Sequence, residues 1–223
     1  MHFTQRISNH LAGHIRDYYC LAMWSYGSTV YGNKVASDHD IVIVIKHNPA
    51  LGSFNAKFTV ENYDIQVYCE KTFMELVNDH DVMALECLSI PIKSTHVYDV
   101  YFFDRLSRFE LNLAKLRASF SKVSSNSYVK AKKKIIVEQD YNLESSIKSL
   151  WHSMRILQFG CQLASTGKIS NFAGSNDLYP KIIQSYIDSG VKWEVIHEKW
   201  KPIYNDLSSD FKLLAPKDIV CHS

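Results

Sequence analysis

Two aspartates one residue apart, Asp38 and Asp40, stand directly before the unbroken apolar run 41–45. Because every residue of that run is β-branched, it predicts a buried β-strand. Side chains alternate between the two faces of a strand, so both carboxylates are expected on one face, close together. Two carboxylates held in this way repel each other, and a divalent cation such as Mg²⁺ relieves the repulsion. This stretch therefore constrains both the local fold and the chemistry.

A Gly-Ser pair, Gly27-Ser28, lies shortly upstream of the aspartates, after a short apolar run. Glycine allows the backbone to turn tightly and to approach a ligand closely. The serine hydroxyl and the amides that open a following helix can donate hydrogen bonds to a phosphate. The sequence therefore predicts a phosphate site beside a metal site.

Together with Gly32 in the spacer, these motifs resemble the polymerase-β-like nucleotidyltransferase superfamily, whose signature is Gly-Ser, a spacer and Asp-x-Asp. The resemblance covers residues 23–69. It implies a third carboxylate on a neighbouring strand, for which Asp64 is the candidate. In the run that Asp64 opens, alternation predicts Asp64 and Gln66 on one face and the apolar Ile65 on the other.

The superfamily implies attack of a hydroxyl on the α-phosphate of a nucleoside triphosphate, with divalent ions held by carboxylates. On that basis Asp38 and Asp40 are assigned to Mg²⁺ or Mn²⁺, and Asp64 to the metal nearest the nucleophile. Gly27 and Ser28 are assigned to the β- and γ-phosphates. The alternatives are a solvated strand entrance for the aspartate pair and a turn residue opening a hairpin strand for Asp64.

A second constellation lies on a predicted helix, where Lys148, His152 and Arg155 follow one another at i, i+4 and i+7. Three basic groups on one stripe repel each other unless they meet an anion, such as a bound triphosphate or an RNA backbone. The alternative is an ordinary solvated helix face that makes ion pairs with Glu144 or Asp140.

The run 148–157, with Gly167-Lys168-Ile169, resembles the helical region of one branch of the superfamily. That branch is the RNA-repair-ligase-associated nucleotidyltransferases of bacteria and their phages. Lys133, in the basic run 130–134, is a further candidate for phosphate contact, against the alternative of a solvated charge run.

Strand patterns come first and helical patterns follow, which predicts an α+β protein with a small mixed sheet. We place a catalytic domain at residues 1–104 and a helical domain at 105–223. The helix and strand predictions that the structure tests are the following: an N-terminal helix over 7–21, strands at 41–45, 54–60 and 64–69, helices at 71–77 and 80–88, a short strand or aromatic anchor at 98–103, and helices at 106–120, 124–139, 143–165, 176–188 and 193–214.

The composition excludes several classes of protein. The chain has 223 residues with 46% hydrophobic content, and no apolar run is long enough to span a membrane. Its net charge of +2 does not by itself imply a nucleic-acid partner. The start lacks the pattern of a signal peptide, and the five cysteines include no C-x-x-C pair. We therefore expect a cytoplasmic protein with reduced thiols.

Taken together, these features predict a Mg²⁺-dependent, template-independent nucleotidyltransferase that consumes a nucleoside triphosphate. The resemblance to the RNA-repair branch favours an RNA acceptor, for instance a tRNA 3′ end. One alternative is transfer of AMP to a protein hydroxyl, as in the small antitoxin nucleotidyltransferases, which share the Gly-Ser and Asp-x-Asp motifs. A second alternative is a non-catalytic nucleotide- or RNA-binding protein that keeps the fold.

Overall fold

The computed structural model describes residues 19–27, 30–32, 39–46 and 55–217. The chain divides into two compact units, one with residues 1–78 and 83–110 and the other with residues 79–82 and 111–223. The first unit carries a β-sheet and the second is helical. The α+β class that the order of strands and helices predicts is thus confirmed.

The described part of the first unit contains a five-stranded mixed sheet in the order β3-β4-β2-β1-β5. The strands β2 and β4 are parallel, and each of the other neighbouring pairs is antiparallel. The strands predicted at 41–45, 54–60 and 64–69 are confirmed by β2, β3 and β4. The strand bounds are β1 Cys20–Tyr26, β2 His39–Ile45, β3 Asn55–Val60, β4 Tyr63–Cys69 and β5 Thr95–Tyr98.

Both faces of the central strand β2 are buried from Ile41 to Ile45, which explains why this part of the strand is apolar instead of alternating. One face carries an aliphatic cluster that includes Met23, Ile41 and Ile65. On the other face Trp24 stacks on Phe73, with 5.4 Å between the ring centroids. In β2 the acidic residue Asp40 therefore stands just before the buried apolar run.

Three α-helices of the first unit lie in the described residues: α1 Glu70–Asn78, α2 Val82–Ser89 and α3 Val100–Leu106. The first two confirm the helices predicted at 71–77 and 80–88. The second begins later than predicted because His80 has a φ of 58°, a left-handed conformation that an α-helix excludes. Of the two alternatives for 98–103, the short strand is wrong beyond Tyr98, since Asp99 caps α3 by accepting a hydrogen bond from the Phe102 amide at 2.8 Å. The aromatic anchor is confirmed, because Phe103 packs against Trp24 with 5.7 Å between the ring centroids.

The helix predicted over residues 7–21 falls mostly outside the described residues. Its last two residues, Cys20 and Leu21, belong to β1, so that end of the prediction is wrong. The strand β1 lies between β2 and β5 in the sheet. Pairing of its backbone with a strand on each side outweighs the helical spacing of the side chains.

The described part of the second unit contains four long helices, and α5 packs against each of the other three. Their bounds are α4 Leu113–Ile136, α5 Leu143–Thr166, α6 Leu178–Asp188 and α7 Trp193–Leu214. The helices predicted at 143–165, 176–188 and 193–214 are confirmed. Pro202 lies inside α7 without ending it. Among the described residues, no helix is both long and apolar enough to cross a membrane.

The predicted pair of helices at 106–120 and 124–139 is wrong, because one helix, α4, covers most of this region. Its N-cap is Asn112, whose side chain accepts a hydrogen bond from the Lys115 amide at 2.9 Å. The serine-rich stretch around Ser124 does not break it. The Ser124 hydroxyl donates to the Ser153 carbonyl of α5 at 2.7 Å, so this polar side chain is satisfied within the helix packing.

Candidate active site

Asp40 and Asp64 lie side by side on the two parallel strands at the centre of the site. The register pairs the Cα of Asp40 with that of Asp64, and neighbouring strands are about 4.8 Å apart. Because residues paired in this way point to the same face, the two carboxylates share one side of the sheet. Asp38, the other carboxylate of the predicted Asp-x-Asp motif, lies outside the described residues.

Gly27 brings a tight turn against the first of these carboxylates. Its φ is +68°, and a Cβ added there would overlap Oδ2 of Asp40 and lie 3.1 Å from its Cγ. Only glycine fits both the conformation and the space. The Gly27 carbonyl accepts hydrogen bonds from the amides of Val30 (3.0 Å) and Tyr31 (3.1 Å). Ser28, the other residue assigned to phosphate, lies outside the described residues.

Asp64 is held in place by the neighbouring strand β3. The Thr59 hydroxyl donates to Oδ1 of Asp64 at 2.8 Å, and Lys57 Nζ lies 3.9 Å from Oδ2. Both residues were missed from the sequence. Their signal was present, since Lys57 and Thr59 are two residues apart on a hairpin strand and so share a face.

A polar network lies next to the carboxylates on the same side of the sheet. The Gln66 amide donates to the Tyr26 hydroxyl at 2.9 Å, and the Tyr68 hydroxyl donates to the Gln66 side-chain oxygen at 2.7 Å. Burial raises the pKa of Tyr26, and the charge of Asp40 raises it further. Tyr26 therefore stays neutral, and its hydroxyl and that of Tyr68 are engaged by Gln66.

His39, which lies between Asp38 and Asp40 in the sequence, is on the opposite face of the sheet. His39 stacks on Tyr63 with 5.2 Å between the ring centroids. The register also pairs these two residues across β2 and β4. Stacking on a tyrosine gives His39 a packing role on that face.

The side chains present fit a divalent cation of the Mg²⁺ type. Asp40 and Asp64 supply the hard oxygen ligands that Mg²⁺ prefers, and the absent Cβ of Gly27 keeps space beside the Asp40 carboxylate. Within the described ranges no group of three His, Cys, Asp or Glu side chains is placed to hold a metal ion. The predicted partner Asp38 falls outside those ranges, so its assignment stays a prediction.

In the helical unit, Lys148, His152 and Arg155 form the predicted basic stripe on α5. Two of them, Lys148 and Arg155, make different kinds of local contact. Lys148 is exposed and pairs with Glu144 at 2.6 Å. Arg155 is buried, with its guanidinium carbon 4.6 Å from the ring centroid of Trp151 and 5.9 Å from that of Phe159. Such stacking stabilises a buried guanidinium.

His152 shares a hydrogen bond with Arg155. Arg155 Nη2 lies 2.7 Å from His152 Nδ1, and because a guanidinium only donates, Nδ1 is the acceptor. Burial lowers the pKa of His152 to about 3, with Arg155 and Lys130 contributing in the same direction. His152 is therefore neutral near pH 7, which removes part of the repulsion expected along the stripe. Its assignment to phosphate, like those of Lys148 and Arg155, stays a prediction.

The remaining predicted basic residue, Lys133, has an exposed side chain near the end of α4. Its backbone carbonyl accepts the closing hydrogen bond of the helix from the Val137 amide at 3.0 Å. The neighbouring Lys134 pairs with Asp140. The structure therefore leaves the predicted phosphate contact of Lys133 untested.

Comparisons with known proteins give distant structural likeness and no match in sequence. No protein-family model and no curated protein matches the chain. Among solved structures, it is similar to a nucleotidyltransferase-like protein from Exiguobacterium sibiricum 255-15, at 10% identity and a TM-score of 0.40. The alignment covers 96% of this chain and 76% of that one. A likeness this distant assigns no activity, so the function is argued from the residues themselves.

Proposed function

We propose that the protein is a Mg²⁺-dependent nucleotidyltransferase that transfers a nucleoside monophosphate from a nucleoside triphosphate to an acceptor hydroxyl. The observation that carries this proposal is the register of Asp40 beside Asp64 on parallel strands, with Gly27 turned against Asp40. Two carboxylates and a tight glycine turn, close together at the ends of neighbouring strands, suit a metal-bound triphosphate.

Each of these residues has a distinct role in the proposed reaction. Asp40, with Asp38, would hold the Mg²⁺ that accompanies the triphosphate, and Asp64 would hold the Mg²⁺ that activates the acceptor. The hydrogen bond from Thr59 fixes the rotation of the Asp64 carboxylate, which orients its second oxygen. Gly27 and Ser28 bind the β- and γ-phosphates through the turn.

In the chemical step the acceptor hydroxyl gives up its proton to water, its oxygen forms a bond to the α-phosphorus, and the bond from that phosphorus to pyrophosphate breaks. When bound, Mg²⁺ activates the attacking oxygen and offsets the charge on the leaving pyrophosphate. The carboxylates align the reacting atoms, and such alignment alone lowers a barrier by several kcal/mol, of the order of 7 kcal/mol in well-oriented systems. Glycine at position 27 keeps the Asp40 carboxylate clear of a side chain.

For the acceptor we propose an RNA 3′ end, modified without a template. The support is the resemblance of residues 148–157 to the RNA-repair branch, together with the exposed basic side chains Lys133 and Lys148. Exposed lysines suit the phosphates of an RNA backbone. A protein hydroxyl is the alternative acceptor, and the experiment below separates the two.

The test is incubation of the purified protein with each of the four α-labelled ribonucleoside triphosphates, Mg²⁺ or Mn²⁺ and cellular RNA. RNA and protein are then separated, and the label in each is measured. We expect label in RNA, with Asp40→Asn and Asp64→Asn each reducing its rate at least about a hundredfold. Label on protein alone would identify AMP-type transfer to a protein, and no label at all would overturn the proposal.

A matched control uses an aspartate outside the site. Asp104 is exposed and pairs with Arg108 at 2.6 Å on the protein surface. Its substitution Asp104→Asn removes the same charge, so it should leave labelling within about twofold of wild type. Equal losses from Asp104→Asn and Asp40→Asn would show that the effect comes from net charge and not from the site.

A further inference from the structure

A buried hydrogen bond ties the turn after Gly27 to helix α2. The hydroxyl of Tyr31 donates to Oε2 of Glu86, and the amide of Tyr31 donates to the Gly27 carbonyl at 3.1 Å. Tyr31 is 4% exposed and Glu86 is 3% exposed. The bond is therefore shielded from water, where a hydrogen bond to a charged group is strongest.

Glu86 is an unusual residue to find in this position. It lies on α2 between Leu85 and Cys87, which are both buried. A buried carboxylate is costly unless hydrogen bonds compensate for the lost hydration. The hydrogen bond from Tyr31 supplies part of that compensation.

The turn is thereby anchored on both sides. On one side Tyr26 pairs with Asp40 across β1 and β2, and on the other Tyr31 bonds to Glu86. Ser28, which we assign to the triphosphate, lies between these anchors in the sequence. A loop whose ends are fixed loses less entropy when it binds a ligand.

We propose that Glu86 is a positioning residue, which acts through Tyr31 to hold Gly27 in its place against Asp40, where Gly27 is proposed to bind the β- and γ-phosphates. This inference rests on the proposed function, because it assigns the turn to the triphosphate. Glu86 touches neither the nucleotide nor the metal in this scheme. Its effect is expected in triphosphate affinity rather than in the chemical step.

The primary test is Tyr31→Phe, which deletes the donor hydroxyl and keeps the ring. The probes are the nucleoside triphosphate that wild type consumes, as its α,β-methylene analogue, and the matching monophosphate, both with Mg²⁺. We expect the Kd of the triphosphate analogue to rise about tenfold. The Kd of the monophosphate should stay within about twofold, because it lacks the two phosphates that the turn is proposed to bind.

Two substitutions of the acceptor sharpen the test. Glu86→Gln keeps a side-chain oxygen that accepts from Tyr31, so we expect triphosphate affinity within about threefold of wild type. Glu86→Leu removes the acceptor and should match Tyr31→Phe. The double variant Tyr31→Phe/Glu86→Leu should be no weaker than either single one, because both remove the same bond. If Glu86→Leu does not fold, the contrast between Tyr31→Phe and Glu86→Gln still decides.

Tyr186→Phe is the matched control, since Tyr186 is buried in the helical unit and its hydroxyl bonds to Ser146 at 2.7 Å. It should lower the thermal midpoint without changing the ratio of triphosphate to monophosphate affinity. If wild type labels its acceptor but Tyr31→Phe leaves the ratio of triphosphate to monophosphate affinity unchanged, the role of Glu86 is overturned and the proposed function is not. A wild type that neither labels an acceptor nor binds a triphosphate overturns the proposed function and this inference with it.

Discussion

The acidic pair of the sheet and the basic stripe of α5 look equally suggestive in the sequence, yet the structure treats them differently. Strand register forces Asp40 and Asp64 into adjacency, whatever repulsion results. On α5, by contrast, Lys148 pairs with Glu144 and Arg155 stacks on Trp151. His152 is neutral near pH 7 because its pKa is lowered to about 3.

This difference shows when a charge pattern indicates a ligand. A helix spaces like charges apart and lets each find a local partner on its own or a neighbouring turn. Two paired strands hold like charges one strand spacing apart, about 4.8 Å, and leave little freedom to separate them. The acidic pair therefore supports a metal site more strongly than the basic stripe supports a phosphate site.

The most severe test of the acidic site is Gly27→Ala. The added methyl would overlap Oδ2 of Asp40 and impose a side chain on a φ of +68°. We expect labelling of the acceptor to fall at least about a hundredfold, since a misplacement of about 1 Å near reacting groups costs that much. The measurement is the steady-state labelling rate, together with the thermal midpoint.

Gly190→Ala separates backbone strain from the loss of the carboxylate site. Gly190 also has a positive φ, +57°, but an added Cβ there meets nothing within 4 Å. It should cost about 1–2 kcal/mol of stability through strain alone and leave the labelling rate unchanged. Equal loss of activity in both glycine variants would contradict a specific role for Gly27.

Much of the sheet was predictable because its signals are local. The β-branched run 41–45 indicates a strand by composition, and alternation in 64–69 places Asp64 and Gln66 on one face. These local patterns did not predict that Asp40 and Asp64 are adjacent. That prediction came from the resemblance to a family with a third carboxylate. Strand register itself follows from pairing across the sheet, which neither segment specifies alone.

The contacts that the sequence did not predict join distant residues. Glu86 is 55 residues from Tyr31, and in the sequence it is simply one charge within the apolar segment 82–88. A break between two helices was predicted between residues 120 and 124, whereas α4 runs through this stretch and the Ser124 hydroxyl donates to the Ser153 carbonyl. The structure at such positions depends on hydrogen bonds between residues far apart in the sequence, which local propensity does not predict.

The basic stripe can be tested by removing its buried member, with Arg155→Met. Loss of stacking on Trp151 and Phe159 should lower the free energy of unfolding by about 1–3 kcal/mol. Lys148→Met is the control, because an exposed pair with Glu144 is worth less than about 1 kcal/mol. Chemical denaturation measures both. A raised KM for the triphosphate with unchanged stability would instead establish Arg155 as a phosphate contact.

The smallest expected effect is a pH dependence carried by His152. Its pKa is lowered from 6.5 to about 3 by burial and by the charges of Arg155 and Lys130. Below pH 6.5 the unfolded chain therefore binds a proton at His152 that the folded chain does not, and stability falls as the pH decreases. Between pH 7 and pH 5 this contributes a loss of up to about 2 kcal/mol.

The variant His152→Gln isolates that contribution, because glutamine does not titrate and its side-chain oxygen can still accept from Arg155. Free energies of unfolding are measured for both proteins from pH 7 to pH 5. Wild type should lose more stability than the variant over this range, by up to about 2 kcal/mol. Parallel curves would mean that His152 binds a proton equally well in the folded chain, as it would beside an acid or a phosphate. The stripe would then carry the uncompensated positive charge that favours a bound anion, and the contrast with the acidic pair would disappear.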